Sequence, residues 1–396
     1  MRRSVLTING GSSSIRFAVH KIDAPLRRLL SGTIDRIGQH GTTLRAGSAD
    51  GSSLAAHRLA TGDHRAAANV LLAWLDAQPV FSTVVAVGHR VVQGMHHSRP
   101  ERVTPALLAE LRRIAPYDPD HMRRELGLIR AVARRYPALP QVACFDTAFH
   151  HAMPPVAKRV PIPRRFAAKG VERYGFHGLS YAYLMEELGR LDPPAARGRV
   201  ILAHLGNGAS LAAVLDGRSL DTSMGFTPAS GLVMGTRAGD LDPGLAYYLS
   251  RREGISVARF QAMVNHESGL LGVSGTSADV RDLLAREPRD RRAADALALF
   301  CYQAKKWIGA FATVLGGIDT LVFAGGIGEN APRIRERICD GLGFLGIALS
   351  PRHNRTNAPV ISMPAGRVRV RIIRTNEELM IARSVTRTLG LATRRR

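Results

Sequence analysis

Lysine is nearly missing from this chain. Of 55 basic residues only Lys21, Lys158, Lys169, Lys305 and Lys306 are lysine, and the rest are arginine. With 32 acidic residues the formal net charge is +23. So uniform a preference reads as codon bias. The arginines fall in scattered pairs, such as Arg112-Arg113 and Arg251-Arg252, which is the pattern of solvated helix faces, and Arg394-Arg395-Arg396 is too short for a basic tail. Charge alone therefore does not make this a nucleic-acid binder. Cysteine is scarce too. Cys144, Cys301 and Cys339 lie far apart with no CxxC pair, which argues against a disulfide framework or a cysteine zinc site and for free thiols in a reducing compartment. No stretch approaches the ~18 apolar residues of a membrane span. The apolar run after Met1-Arg2-Arg3 breaks at Thr7 and ends at Asn9, so no signal-peptide core follows. The expectation is a soluble cytoplasmic protein with neither nucleic acid nor membrane as partner. Two nucleotide motifs are also missing: no Walker A and no GxGxxG fingerprint occurs at the glycine-rich loops.

The 396 residues, 45% of them hydrophobic, suit two α/β domains. Residues 5–8 and 15–19 read as strands around Asn9-Gly10-Gly11-Ser12-Ser13-Ser14, a hairpin with a polar tip. Residues 84–87 read as a buried strand, which Arg90 directly follows. Thr104-Pro105 opens a helix. A second helix covers about 121–135 with Met122, Leu126, Ile129 and Val132 inward, and strand 141–145 ends at Asp146. The layout then restarts. Strands 200–204 and 210–215 flank Leu205-Gly206-Asn207-Gly208, and a long helix covers about 291–315. Strand 321–324 runs into Gly325-Gly326-Ile327-Gly328, Asn330 and Pro332 open the next helix, and 368–373 is a last strand. Thr375 to Glu378 matches a capping box. A duplicated α/β unit with a ligand cleft is the expectation, built from 1–147 plus 378–396 and from 148–377.

Three loops have anion chemistry. The first hairpin tip offers unhindered amides, three hydroxyls and, two residues on, Arg16. The tip 204–210 is a second glycine-rich loop, although Asn-Gly is also a common plain hairpin turn. Gly325-Gly326-Ile327-Gly328-Glu329-Asn330 joins a strand to a helix whose N-terminus favours phosphate. Together they point to a nucleotide enzyme. Asp146 at a strand end suits Mg2+ or its waters, or a helix cap. Arg90 presents a fork suited to a carboxylate, or a surface ion pair. Arg237, in a glycine-rich segment, suits a transferring phosphoryl group. Glu377 suits helix capping, and His177 a structural donor.

Ten strings, in order, then carry a family resemblance across residues 5 to about 385. They include Gly-His-Arg-Val-Val at 88–92, Phe-Asp-Thr-Ala-Phe-His at 145–150, Arg-Tyr-Gly-Phe-His-Gly at 173–178, His-Leu-Gly-Asn-Gly-Ala-Ser at 204–210, Met-Gly-Thr-Arg-Ala-Gly-Asp at 234–240, Gly-Gly-Ile-Gly-Glu-Asn at 325–330 and Thr-Asn-Glu-Glu-Leu at 375–379. The chain resembles the acetate kinase family (acetokinases, acetate and propionate kinases). The resemblance implies the duplicated actin- and hexokinase-like fold of acetate and sugar kinases. It also implies ATP-dependent phosphorylation of a short-chain carboxylate, acetate above propionate, to an acyl phosphate, with Mg2+ or a substituting Mn2+, in a homodimer. Asn9 and Glu377 would ligate the metal. Ser12, Ser14 and Arg16 would face the phosphates, together with His204, Leu205, Gly206, Asn207 and Gly208. Asp279, Val280 and Arg281, with Gly326, Ile327, Gly328, Glu329 and Asn330, would hold the rest of ATP. Arg90 would hold the acid, and Val92, Phe176 and Pro228 would line its methyl pocket. Asp146, His177 and Arg237 would be catalytic. Arg16 stands where the family usually has lysine, Gln93 where it has histidine, and Ala-Pro-Tyr-Asp-Pro at 115–119 replaces its Ala-Pro-Leu-His-Asn-Pro. The alternative is a non-catalytic nucleotide-gated module of the same fold.

Overall fold

The computed structural model describes residues 3–11, 13–38, 41–59 and 63–391. The chain divides into two compact units, Met1–Ala148 with Asn376–Arg396, and Phe149–Thr375. Ala148, Asn376 and Glu377, grouped with the second domain from sequence, go with the first. The reason is local: Asn376 is the cap of the helix Glu377–Thr388, its side chain accepting from the Leu379 amide at 3.0 Å. The cap is thus Asn376 and not Thr375, and it travels with its helix.

The first unit is built on an eight-stranded sheet. Its strands are β1 (Ser4–Gly10), β2 (Ile15–Lys21), β3 (Arg27–Asp35), β4 (Thr43–Ser48), β5 (Ser53–Arg58), β6 (Val84–Val91), β7 (Glu101–Arg102) and β8 (Gln141–Phe145), in the order β5-β4-β3-β2-β1-β6-β8-β7. Strands β1 and β2 form the expected hairpin, with Asn9 opposite Arg16, while β1, β6 and β8 run parallel. Parallel central strands are covered on both faces, and β1 and β8 are buried along their whole length. One face packs α1 (His64–Asp76) and α3 (Pro119–Arg135), whose Leu71 and Val132 share a core with Phe17 of β2. α2 (Pro105–Ile114) begins at its Thr104 cap and Pro105, as read from sequence. The helix Glu377–Thr388 lies so close to β6 that a Cβ at Gly88 would sit 2.5 Å from Ile381 Cγ2 and from Val385 Cγ2. Only glycine permits that approach.

The second unit holds a five-stranded sheet of β9 (Arg199–Leu205), β10 (Ala209–Leu215), β11 (Arg218–Thr222), β12 (Thr320–Ala324) and β13 (Arg369–Ile372), ordered β11-β10-β9-β12-β13. β9 and β10 are an antiparallel hairpin, and β12 is parallel to both β9 and β13. Its strand order and directions repeat those of β3-β2-β1-β6-β8. The expected duplication is therefore a duplication of sheet topology, with a glycine-rich hairpin tip at the same place in each unit. The 24-residue helix Arg291–Val314 buries Leu297, Phe300, Ile308 and Phe311.

Candidate functional site

In the first unit, the functional side chains gather where β1, β6 and β8 end. Arg90 does not follow its strand; it is the penultimate residue of β6, whose register continues past Val87 because β8 pairs along it to Val91. That register pairs Arg90 with Cys144, and the Asp146 amide, just beyond β8, donates to the Val91 carbonyl at 2.9 Å, which brings Asp146 beside Arg90. Arg90 Nη2 and Nε donate to Asp146 Oδ2 at 2.5 and 3.0 Å, and Nη1 reaches the Gly10 carbonyl at 3.4 Å. Burial works against the guanidinium charge, but Asp146, Glu377 and Glu125 together keep it firmly protonated. Burial pushes the Asp146 carboxyl up from the ordinary range; Arg90 pulls it back and the Glu377 carboxylate adds to the rise. Both effects are the expected ones for a buried acid between a cation and an anion.

Asn9, at the end of β1, donates through Nδ2 to Glu377 Oε2 at 2.8 Å and to Glu378 Oε1 at 3.5 Å. Glu378 is raised by burial and then by its neighbour Glu377. Exposed Arg16, opposite Asn9 across the hairpin, acts electrostatically on Glu378. The carboxylates of Asp146 and Glu377 thus share one part-buried guanidinium, and Asp146 Oδ1 is buried with no hydrogen-bond partner. The orphaned Asp146 oxygen, the Glu377 carboxylate that acts on it and the Asn9 side-chain amide bound to that carboxylate offer oxygen donors. That chemistry fits Mg2+ or Mn2+.

Two further groups here escaped the sequence reading. Glu125, on the apolar face of α3, is 2% exposed and takes the Val92 amide on Oε2 at 2.9 Å. Burial pushes its carboxyl up to about 8, with Arg90 opposing. Asp118 caps α3 and holds His121 Nδ1 at 2.9 Å, and His121 acts electrostatically on Asp146. A glutamate three residues from Met122 and one from Leu126, on a face otherwise apolar, was the available signal. Ser12 lies outside the described residues. The Gly11 amide donates to the Ser14 carbonyl at 2.7 Å, closing the tip.

In the second unit, His177 caps the helix Gly178–Leu191 in the left-handed conformation, φ 60°. Its ring stacks on His204 with centroids 4.3 Å apart, and its Nδ1 lies 2.9 Å from Ser210 Oγ. Arg237 Nη1 donates to the Pro228 carbonyl at 2.8 Å. A Cβ at Gly208 would lie 3.2 Å from His177 Nε2 and 3.6 Å from Arg237 Nη2. The hairpin tip, His177 and Arg237 therefore meet at one corner. Phe176 is buried, and its carbonyl lies 3.0 Å from Nε2 of His150, a histidine that burial lowers to about 4. Pro228 is buried in this unit and Val92 in the first.

A cavity of about 710 Å³ opens beside that corner. Gly206, Asn207, Asp279, Arg281, Gly326 and Asn330 line it, with Val280 and Ile327. The remaining nucleotide candidates, His204, Leu205, Gly208, Gly328 and Glu329, are not in its wall. Glu329 Oε1 instead takes the amides of Gly325 and Thr375 at 2.9 and 3.0 Å. The Gly328 carbonyl accepts from buried Arg335, which fixes the loop from behind. Asn330 does not open the next helix. It ends the short helix Gly325–Asn330, and Ala331 precedes Pro332–Cys339. The pocket has glycine backbone at one wall and an arginine at another, which is suitable for a phosphorylated ligand of nucleotide size.

Comparisons with known proteins find relatives along nearly the whole chain. The Acetokinase family model matches residues 4–383. An acetate kinase of Rhodopseudomonas palustris is 43% identical over 391 residues, 97% of this chain and 98% of that one. A propionate kinase of Citrobacter rodentium is 42% identical, over 98% and 97%. The crystal structure of Porphyromonas gingivalis acetate kinase matches with a TM-score of 0.87 at 35% identity, over 98% of this chain and all of the other.

Proposed function

Because the chain belongs to the acetokinase family, we propose that it catalyses reversible, Mg2+-dependent, in-line transfer of the γ-phosphoryl group of ATP to a short-chain carboxylate, acetate before propionate. The enzyme class follows from the family: a kinase phosphotransferase acting on a carboxyl group. In the reaction, a carboxylate oxygen forms a bond to the γ-phosphorus as the bond to the bridging oxygen of ADP breaks. The products are ADP and an acyl phosphate. The acid is ionised at neutral pH, so no proton has to move. Catalysis rests on positioning and on neutralising charge.

The observation that carries this reading is the Arg90–Asp146 pair with Asp146 Oδ1 left unpartnered. Asp146 fixes the plane of the guanidinium, so Arg90 meets the acid as an oriented fork rather than a loose charge. Asn9, Glu377 and the open oxygen of Asp146 would hold Mg2+, which supplies charge neutralisation at the phosphate oxygens when bound. His177 and Arg237 are the donors assigned to the transferring group. The walls around Gly206, Asp279, Arg281 and Gly326 take the nucleotide. Asp146 serves as an organiser and not as a proton acceptor. The enzyme works as a homodimer in the cytoplasm; among the described residues no helix is long and apolar enough to cross a membrane.

Hydroxamate trapping with ATP, Mg2+ and a panel of C2–C4 acids tests the reading. Acyl phosphate from acetate, and less from propionate, is expected; none from any acid overturns it. Asp146→Asn is expected to lower kcat about 100-fold and to raise the Mg2+ concentration for half-maximal rate. An unchanged Mg2+ dependence would remove Asp146 from the metal.

A further inference from the structure

The segment following β6 carries two adjacent histidines that no step above uses. His96 is exposed, with 69% of its side chain open to solvent, whereas His97 is 6% exposed. His97 stacks on Phe145 with centroids 4.9 Å apart and planes 15° apart, and on His96 at 4.5 Å. Glu110, on α2, reaches both rings: Oε1 lies 3.2 Å from His96 Nε2 and Oε2 lies 3.5 Å from His97 Nε2.

The other side of the His97 ring decides the chemistry. Its Nδ1 lies 2.8 Å from Glu101 Oε1. A carboxylate only accepts, so Nδ1 carries a proton. In the neutral ring Nε2 is then a lone pair. That atom is buried, has no hydrogen-bond partner, and faces an anionic oxygen. Two electron-rich atoms at this spacing require a cation between them. A carboxylate fixing the far nitrogen of a ligating histidine is the usual outer support of a bound metal. The separations of 3.2 and 3.5 Å run to the two oxygens of the Glu110 carboxylate, so each imidazole nitrogen faces one of them. One ligand atom from each of His96, His97 and Glu110 lies within 4.8 Å of the others, the one such group among the described residues.

We propose that His96 Nε2, His97 Nε2 and Glu110 bind one divalent ion of the zinc class, with water completing the coordination. Two imidazoles and one carboxylate select Zn2+ or Co2+ over Mg2+, which prefers oxygen alone. The site is chemically separate from the oxygen donors Asn9, Glu377 and Asp146. Bound metal ties the loop after β6 to α2 and holds His97 against Phe145, the residue before Asp146. It is thus a clip beneath the acyl half of the site. Its rivals for Glu110 are a proton on His97 Nε2 and Arg113, whose Nη2 lies 3.7 Å from Oε1.

The test uses the metal-stripped full chain in excess Mg2+, so that the oxygen site is filled. Co2+ is titrated by visible absorption and Zn2+ by calorimetry, with thermal unfolding in parallel. One equivalent of each is expected, with a rise in Tm on Zn2+ addition. His96→Ala, at a mostly exposed position, should fold normally, lose at least 10-fold in affinity and lose the Tm rise. Glu101→Gln, which touches no metal, should lose about 10- to 100-fold through the His97 ring alone. Binding unchanged in His96→Ala overturns the proposal. So does a thiolate-to-cobalt charge-transfer band, which would move the ion to a cysteine. Absence of binding in the parent protein would show that the cation between His97 and Glu110 is a proton, and overturns it equally.

Discussion

Replacing Glu125 with glutamine should relieve the first unit of an alkaline instability. The carboxyl is buried in α3, with Oε2 on the Val92 amide and Oε1 without a partner. Burial raises it from 4.5 to about 8. Between these values the folded protein holds a proton that the unfolded chain releases. The stabilisation from that proton is complete below the unfolded value and is lost as pH rises through about 8. At ~1.4 kcal/mol per unit the whole effect is bounded at about 5 kcal/mol, of which roughly 3 kcal/mol falls between pH 6 and pH 9. Glutamine keeps an acceptor for Val92 and has nothing to titrate. Trp74 packs edge-on against Phe17 in the first unit, and the chain has two tryptophans. Urea unfolding followed by fluorescence in a Trp307→Phe background therefore reports on that unit. Between pH 6 and pH 9 the Glu125→Gln protein should gain about 3 kcal/mol relative to its parent. Asp146 and Glu378 are present in both proteins, so their titrations largely cancel in the difference. Profiles that stay parallel to within ~0.5 kcal/mol would refute the assignment of a protonated, buried Glu125.

Three substitutions probe other parts of the argument. Gly88→Ala drives a methyl group into Ile381 and Val385; a loss of about 2 kcal/mol, seen as a Tm lower by roughly 5 °C, is expected. Gly326→Ala meets no atom within 4 Å yet adds a methyl at the wall of the 710 Å³ cavity. Its Tm should hold while KM for ATP rises about 10-fold, and an unchanged KM would take the nucleotide elsewhere. Arg90→Lys keeps the charge and loses the fork on Asp146. KM for the acid should rise at least 10-fold, and a KM within twofold of the parent would separate Arg90 from the acid.

What could be read from sequence was what local chemistry decides. Both hairpin tips, the Thr104-Pro105 helix start and strand 141–145 are written in neighbouring residues, and they stand where expected. The misses have distant causes. β6 continues through His89 and Arg90 because β8 supplies Gln141, 2.7 Å from His89 Nε2, and Asp146 beside Arg90. Buried polar residues do not look like a strand until their partners are known. β3, β4 and β5 have few apolar residues in alternation, and their pairing edge to edge creates the order. Glu329 sits inside a nucleotide-like string, yet its carboxylate closes off two amides of its own unit. Motif membership does not reveal which way a side chain turns.

The helix Glu377–Thr388 has a consequence for how the protein is made. It packs on β1, β2, β6 and β8, and it brings Glu377 to Asn9. Domains ordinarily fold as they leave the ribosome, the N-terminal one first. Here the first unit must wait, its sheet uncovered over β6 at Gly88, until the helix Glu377–Thr388 has been translated. The unit from Phe149 to Thr375 has all its strands by Ile372 and can settle ahead of the one that precedes it. Glu377, proposed above for the metal, arrives with that same helix, so its meeting with Asn9 comes only after Phe149–Thr375 has been translated.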